Sequence, residues 1–303
     1  MQRRYALLDV FTDRPLAGNQ LAVVLDGEGL DDARMQAIAA EFKLSETVFV
    51  LPAANPLHSA SVRIFTPARE LPFAGHPTVG TAVLLGLEAA ARNGSVREQM
   101  LVLEEKVGPV RCGVSVKGDG AGHAVFDLPR LPSETGRAPD REVIAAAIGL
   151  TPSEVGFENH HPSLYSAGNE FLFVPVRDLS VVAQIRVQPD PWASLFKSTN
   201  AIGTFVYCRE TTATGRHFHS RMLAPGAGVD EDPATGSAVA AFAGVVRRFD
   251  GPPAGEHRYV IEQGFEMGRP SLIRLEVDLD GGEIKAARIA GDAVVFARGT
   301  LSI

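Results

Sequence analysis

Cysteine is scarce in this sequence: its 303 residues include two cysteines, Cys112 and Cys208, and a single tryptophan. Two cysteines cannot build a disulfide framework, and these two do not have the spacing of metal ligands. The eight histidines form no HxxxH or HExxH pattern, so we expect no metal site. His217 and His219 alternate as neighbours on a strand would, and we interpret them as ordinary strand residues.

Long hydrophobic runs are also missing. The longest nearly apolar run beside a predicted helix, 81–91, has about eleven residues, whereas a membrane span needs about 20. Asp9 interrupts the apolar stretch that follows Arg3 and Arg4, so no signal peptide is expected. Phosphate-binding GxxxxGK[ST] loops and dinucleotide-binding GxGxxG turns are absent. We therefore expect a soluble, cytoplasmic protein without a nucleotide cofactor.

Positive charge is in deficit, because 36 acidic residues face 29 basic ones and the net charge is −7. An acidic chain without a Lys/Arg cluster is a poor candidate for binding nucleic acid or an anionic membrane. The remaining composition, 45% hydrophobic and 21% charged, is that of a globular protein, not of a disordered or fibrous one. The length predicts about two domains, which need no disulfide or metal to fold.

Short strands outnumber helices in the predicted element order, and most neighbouring strands are joined by short turns. This order favours an α+β fold with mixed or antiparallel sheets over a doubly wound parallel sheet. Helices are predicted from Asp31 or Asp32 to Phe42 and over 78–91, 141–148, 179–185 and 236–248. A segment rich in Pro, Ser and Gly, 129–139, predicts a linker. The predicted domains are 1–128 and 140–289, with a C-terminal strand, about 290–303, that can return to the first domain.

Two parts of the sequence resemble each other. Residues 63–67 (RIFTP) precede the turn GHP at 75–77 and a helix of small apolar residues, and residues 221–225 (RMLAP) precede the turn PATG at 233–236 and a second such helix. Both have the order strand, R-x-hydrophobic-x-P, turn, helix, which matches two homologous halves. Small apolar residues cover nearly every side of both helices, so each helix must be buried all round, as inside a wrapped sheet.

Each of these helix starts could bind an anion. A helix N-terminus offers unpaired N–H groups and the positive end of the helix dipole, and Gly75 and Gly236 would let a ligand approach the backbone closely. Two such starts on opposing domains would form a clamp for a carboxylate or another small anion. Alternatively, the two glycines serve only tight turns.

Four side chains around these turns could handle protons or bind a ligand. Asp232 and Ser237 could contact a ligand or simply cap the second helix. His76 lies on the first turn, where a histidine is catalytic, structural or merely exposed. Glu46 begins a predicted strand and would ordinarily be solvated. In an apolar cleft, burial would favour its protonated form and allow general acid or base chemistry near neutral pH.

Five segments carry a resemblance to a known family. They are Gly18-Asn19 followed by 22–24 (AVV), 44–49 (LSETVF), 63–67 running on through 70–78 (ELPFAGHPT), 231–238 (EDPATGSA), and Gln263-Gly264 with 268–271 (GRPS). In this order and at this separation, they resemble the PhzF family of phenazine-biosynthesis isomerase-like proteins. The long third and fourth segments make the resemblance specific.

The resemblance implies a diaminopimelate-epimerase-like fold, in which two similar domains each wrap a sheet around a central helix and the active site lies in the cleft between them. It also implies a homodimer and no cofactor. By their match to the family pattern, Glu46 is the catalytic acid/base, and His76, Asp232 and Ser237 are polar groups around the substrate, with His76 and Asp232 counted among the catalytic residues. The expected substrate-binding residues are Asn19, Gly75, Thr235, Gly236 and Ser237.

The related epimerases and proline racemases use two thiols, one at each helix start. Neither corresponding turn of this chain, 73–76 or 232–236, contains cysteine, and Cys112 and Cys208 fall in predicted strands as packing residues. A two-thiol mechanism is therefore disfavoured. A carboxylic acid working alone suits the transfer of a proton from one carbon to another on the same face.

We therefore expect a cofactor-independent isomerase of the PhzF family that moves a proton between carbons of a small carboxylate, with Glu46 as general acid/base. Two alternatives stay open. One is an epimerase or racemase of a small amino or hydroxy acid, in which His76 or Asp232 acts on the face opposite Glu46. The other is a non-catalytic small-molecule binder on the same fold. No motif reports the substrate or a phenazine pathway.

Overall fold

The computed structural model describes residues 2–93, 98–117, 119–225 and 229–303. Among these residues, no helix is both long enough and apolar enough to cross a membrane. In chain order the elements are β1 (Gln2–Val10), β2 (Asn19–Val24), α1 (Asp32–Phe42), β3 (Glu46–Leu51), β4 (Ala60–Phe65), β5 (Glu70–Leu71), α2 (Gly75–Asn93), β6 (Glu98–Glu105), β7 (Gly108–Val116), β8 (Ala121–Asp127), β9 (Ser133–Gly136), α3 (Arg141–Ile148), β10 (Ser163–Ser166), β11 (Glu170–Pro175), α4 (Leu179–Gln184), α5 (Pro189–Leu195), β12 (Thr204–Cys208), β13 (Phe218–Leu223), β14 (Glu231–Asp232), α6 (Gly236–Asp250), β15 (Gly255–Gln263), β16 (Ser271–Asp280) and β17 (Glu283–Ser302).

The chain divides into two compact units. Unit 1 comprises Met1–Pro129 and Arg288–Ile303, and unit 2 comprises Arg130–Ala287. Within the segment predicted as a linker, 129–139, the strand β9 forms and pairs with β10 of unit 2. The segment's Pro- and Gly-rich composition is typical of a loop, but hydrogen bonding to a neighbouring strand orders its middle.

The sheet of unit 1 closes around α2. Its strands pair in the ring β17, β1, β2, β3, β4, β6, β7, β8 and back to β17. All of these pairs are antiparallel except β2 with β3 and β4 with β6. The helix packs against six of the strands, and Val79, Ala82 and Val83 have no exposed surface. This burial confirms the interpretation of α2 as an all-round apolar helix.

The sheet of unit 2 repeats the same order and directions. β10 pairs antiparallel with β11, β11 parallel with β12, β12 antiparallel with β13, β13 parallel with β15, and β15 antiparallel with β16. Its central helix, α6, packs against β9, β10, β11 and β16. The ring of Phe242 in α6 meets four other aromatic rings at centroid distances of 4.8 to 5.8 Å, those of Phe173, Phe205, Tyr207 and Phe218.

The repeated arginine has the same role in both units. Arg63 of β4 donates two hydrogen bonds, of 2.7 and 2.9 Å, to Glu70 of β5. Arg221 of β13 donates two, of 2.9 and 2.8 Å, to Glu231 of β14. In each unit, the arginine therefore fixes the short strand that leads into the central helix. The sequence similarity marks a structural repeat.

Some element boundaries differ from those predicted. α2 begins at Gly75, three residues before the predicted start, because Pro77 falls in the first turn, where no backbone N–H is needed. The strands predicted over 284–289 and 292–296 form one strand, β17. Gly291, between the two predicted strands, lies where the Phe11 ring packs: a Cβ atom there would be 2.3 Å from Phe11 Cδ1.

Replacing Phe242 with alanine should destabilise the protein, because it empties the centre of the aromatic cluster. We expect the free energy of unfolding to fall by about 3–5 kcal/mol. Phe296→Ala is the matched control, since that ring is 52% exposed, and we expect a loss below about 1 kcal/mol. Urea unfolding followed by circular dichroism measures both changes. Equal losses in the two variants would contradict the central role of Phe242.

Candidate active site

Asn19 and Glu46 begin neighbouring strands of unit 1. β2 and β3 run parallel, with Leu21 paired to Glu46, so the first residues of both strands lie at the same end of the sheet. Gly18 brings the chain into β2 with a φ of +66°, and a Cβ atom on it would be 2.3 Å from the Val10 carbonyl oxygen. Only glycine fits this close approach.

His76, in the first turn of α2, joins these two residues. Its Nδ1 lies 3.3 Å from Asn19 Nδ2, and its Nε2 lies 3.4 Å from Glu46 Oε2. The structure therefore brings three of the predicted site residues together within unit 1. The fourth, Gly75, immediately precedes His76 and is buried.

Burial keeps the His76 ring neutral. The residue is 4% exposed, and burial lowers the pKa of His76 to about 3, against the opposing effect of a hydrogen bond with the Gln20 backbone. A neutral ring carries one proton; Asn19 Nδ2 meets its Nδ1, and its Nε2 faces Glu46. His76 is therefore a neutral, polar neighbour of the Glu46 carboxyl.

Glu46 is sheltered rather than solvated. Its side chain is 16% exposed. The sequence alone left open whether Glu46 is buried or solvated, and the structure shows that it is mostly buried. A carboxyl group in this position is shielded from bulk water by the sheet and the first turn of α2, yet retains some access for a ligand. That combination suits a group that exchanges protons with a bound molecule.

In unit 2, the predicted residues Asp232 and Thr235 are bonded to each other and to Gln263. Thr235 Oγ1 donates to Asp232 Oδ2 at 2.5 Å. Gln263 Nε2 donates to the Asp232 main-chain oxygen at 2.7 Å and to Thr235 Oγ1 at 3.0 Å. Gln263 Oε1 accepts from the Thr235 N–H at 3.1 Å. The completely buried Gln263 thus fixes the turn before Gly236.

The first turn of α6 contains the last two predicted site residues of unit 2. Gly236 is buried and Ser237 is half-buried. The Thr235 carbonyl oxygen accepts the N–H groups of Ala238 and Val239, at 3.0 and 3.1 Å. The amides of Gly236 and Ser237, which precede those donors, have no acceptor in the preceding turn of helix, as at any helix N-terminus.

Sequence reasoning did not select Gln263 as a site residue. It stands in one of the five segments of the family resemblance, which is the one signal that could have identified it. Its role depends on hydrogen bonds to Asp232 and Thr235, 31 and 28 residues earlier in the chain. No local pattern reports such contacts.

The two thiols are inert packing residues, as predicted. Cys112 lies in β7 and Cys208 in β12, and both are buried and free. Burial raises the pKa of both thiols, that of Cys208 to about 12. Within the described ranges, no three His, Cys, Asp or Glu side chains are grouped to hold a metal ion. His219 lies in β13 as predicted, and its ring is hydrogen-bonded to Glu262 and Glu266.

Comparisons with known proteins agree over the whole chain. A family model described as phenazine biosynthesis-like protein (PhzC-PhzF) matches residues 8–299. An uncharacterized isomerase of Mesorhizobium japonicum is 53% identical over 99% of both chains. A trans-2,3-dihydro-3-hydroxyanthranilate isomerase of Pseudomonas chlororaphis is 34% identical over 98% of both chains. The crystal structure of a PhzF-family phenazine biosynthesis protein from Bacillus anthracis is 27% identical, covers 100% of both chains and has a TM-score of 0.87.

These matches confirm two expectations. The α+β, diaminopimelate-epimerase-like fold is confirmed by the structural match over the full length of both chains. The expected enzyme class is confirmed by the curated relatives, which are isomerases. The chain is therefore an isomerase and belongs to the PhzC-PhzF family of phenazine biosynthesis-like proteins.

Proposed function

We propose that this isomerase works without a cofactor and moves a proton between two carbons of a small carboxylate, with Glu46 as the general acid/base. The observation that carries this proposal is the arrangement of Glu46, His76 and Asn19 in unit 1. Glu46 is sheltered, the neutral His76 ring faces it at 3.4 Å, and Asn19 holds that ring from the other side. A positioned carboxyl of this kind typically accelerates proton transfer about 10²- to 10⁴-fold.

The proposed reaction has two proton transfers. The Glu46 carboxylate first removes a proton from an acidic carbon of the substrate, and the C–H bonding electrons enter the conjugated system. Protonated Glu46 then gives that proton to another carbon on the same face, which shifts the double bond and restores the carboxylate. His76 stays neutral throughout and is proposed to fix the position of the Glu46 carboxyl by its contact with it. The sum is an isomerisation with no oxidation or reduction.

We propose that the substrate's carboxylate binds to the amide that begins α2, at Gly75. Helix N-termini favour anions through unpaired N–H groups and the helix dipole. In unit 2, the start of α6 at Gly236 is proposed as a ligand-binding turn of the same kind, with Asp232, Thr235 and Ser237 as its polar groups. The hydrogen bonds that Gln263 makes to the turn before α6 support this role, because they hold that turn in one conformation.

The compound named for the Pseudomonas chlororaphis relative indicates the substrate class to test. Trans-2,3-dihydro-3-hydroxyanthranilate has a carboxylate, an amino group and a hydroxyl group on one partly unsaturated ring. We propose a cyclic amino- or hydroxy-carboxylate of this kind. The homodimer implied by the family resemblance is part of the proposal, and sedimentation velocity should show twice the chain mass.

Turnover in D₂O distinguishes the isomerase from the epimerase alternative. With trans-2,3-dihydro-3-hydroxyanthranilate as substrate, a single carboxyl that shuttles the proton should carry part of the original hydrogen to the new carbon. Mass spectrometry should then find less than one deuterium at that carbon. Full deuteration of one stereocentre, with inverted configuration and unmoved double bonds, would contradict the proposal and favour epimerisation.

Glu46→Gln should remove the base while preserving the shape of the side chain. We expect kcat to fall about 10²- to 10⁴-fold, with KM changed only a few-fold. Glu41→Gln is the matched control, because Glu41 is exposed on α1 and should leave both constants unchanged. Turnover by Glu46→Gln at more than a tenth of the wild-type rate would show that another group carries the proton.

The His76 ring should stay neutral throughout the working pH range. Because burial lowers the pKa of His76 to about 3, the ring binds a second proton only far below the usual range for histidine. In protein labelled with ¹⁵N-histidine, its resonances should report a single ring proton from pH 8 down to pH 5. His76→Asn identifies these signals by their loss. A doubly protonated ring above pH 6 would contradict the proposed role as a neutral neighbour of Glu46.

A further inference from the structure

Glu105 is a buried carboxyl group that the proposed reaction does not use. It is the last residue of β6 in unit 1 and is 7% exposed. Its Oε1 lies 2.7 Å from Thr78 Oγ1, and Thr78 Oγ1 lies 2.8 Å from the Ala74 carbonyl oxygen. In the part of the chain that the structure describes, Glu105 Oε2 is buried and has no hydrogen-bond partner.

The protons available to Glu105, Thr78 and the Ala74 carbonyl oxygen indicate the protonation state of Glu105. A threonine hydroxyl has one proton, and the Ala74 carbonyl oxygen can only accept. When Thr78 donates to Ala74, no proton is left for Glu105, so Glu105 must donate to Thr78 Oγ1. An ionised Glu105 would instead compete with Ala74 for one proton and would leave a charged oxygen buried without a partner, which is costly.

Unit 2 has a neutral side chain at the equivalent position. β6 pairs with β4, and β15 with β13, in the same register relative to Arg63 and Arg221, so Glu105 corresponds to Gln263. Gln263 both donates to and accepts from Thr235, the residue before the start of α6. A neutral carboxylic acid, like an amide, has one donating and one accepting end.

We propose that Glu105 acts as a neutral carboxylic acid that positions the Ala74–Gly75 peptide through Thr78. In a trans peptide, the C=O and the following N–H point in opposite directions. The Ala74 carbonyl accepts the Thr78 N–H at 3.2 Å and the Thr78 hydroxyl at 2.8 Å, and this second bond tightens the direction of the Gly75 N–H. The effect on substrate binding rests on the proposed function, in which that N–H binds the carboxylate. Glu105 is a positioning residue and does not touch the substrate.

The surroundings of Glu105 support the neutral form. Burial raises the pKa of Glu105 to about 8, and the hydrogen bond with Thr78 opposes that shift. The thiol of Cys112 on β7 is close enough to respond to the charge of Glu105. Of the charged residues beside Glu105 in the chain, Lys106 is bonded to Glu70 of β5 and Glu104 to His58. Below about pH 8 the acid is protonated and donates to Thr78 Oγ1; above it, Thr78 Oγ1 donates to the carboxylate, and the Ala74 carbonyl keeps only its bond from the Thr78 N–H.

Glycine labelling with ¹⁵N tests this coupling without any substrate. The Gly75 amide resonance should titrate with a midpoint near pH 8 in the wild type and stay constant in Glu105→Gln, whose amide donates at every pH. Gly236, which begins the other central helix, should stay constant in both proteins. A Gly75 resonance that is unchanged around pH 8 in the wild type, or that moves equally in both proteins, would overturn the proposal.

Kinetics with trans-2,3-dihydro-3-hydroxyanthranilate test the consequence for binding. Wild-type KM should rise about tenfold between pH 7 and pH 9.5, the effect of losing one hydrogen bond, while kcat changes little. Glu105→Gln should keep the neutral-pH KM without the alkaline rise, and Glu105→Met should have the raised KM at pH 7. The same alkaline rise in Glu105→Gln would overturn the positioning role. If the compound is not turned over, the proposed substrate fails, and the Gly75 titration still decides the state of Glu105.

Discussion

The burial of the N-terminal half of α2, residues 75–84, inside a closed ring of strands is the constraint on which the site of unit 1 depends. Eight strands surround the helix, so its axis and its first turn have one permitted position. Small side chains such as Val79, Ala82 and Val83 let the strands approach closely. The first turn then meets the first residues of β2 and β3, which are parallel and therefore start at the same end. Burial of the helix thus places His76 between Asn19 and Glu46.

The repeated scaffold carries chemically different residues in its two copies. Thr47 pairs with Phe65 in unit 1 as Thr204 pairs with Leu223 in unit 2, so Gly203 takes the place that Glu46 has in unit 1. A Cβ atom on Gly203 would lie 2.7 Å from the Leu223 main-chain oxygen, which leaves little space for any side chain. One copy carries the carboxyl group and the equivalent position of the other does not, which supports a mechanism with a single proton carrier.

The sequence was sufficient for features that depend on local patterns. Small apolar residues predicted the two buried helices, the RIFTP and RMLAP segments predicted the repeat, and the family segments included Glu46 and His76. It was insufficient where hydrogen bonds join distant residues. Glu105 follows another glutamate and precedes a lysine, which is typical of an exposed strand end. The strands β5 and β14 have two residues each, too few for any periodicity. Each forms because it pairs with the strand that contains the repeated arginine, β4 or β13.

The neutral state of Glu105 also bears on how a helix start can bind an anion. A carboxylate beside an N-terminus is stabilised by the helix dipole and cancels part of its positive potential. An ionised Glu105 near the first turn of α2 would therefore weaken the attraction that this turn offers to a substrate carboxylate. A neutral acid supplies the hydrogen bond that orders the peptide and leaves the positive potential available. Gln263 meets the same requirement in unit 2 with an amide, so both copies order the turn before the helix without adding a charge.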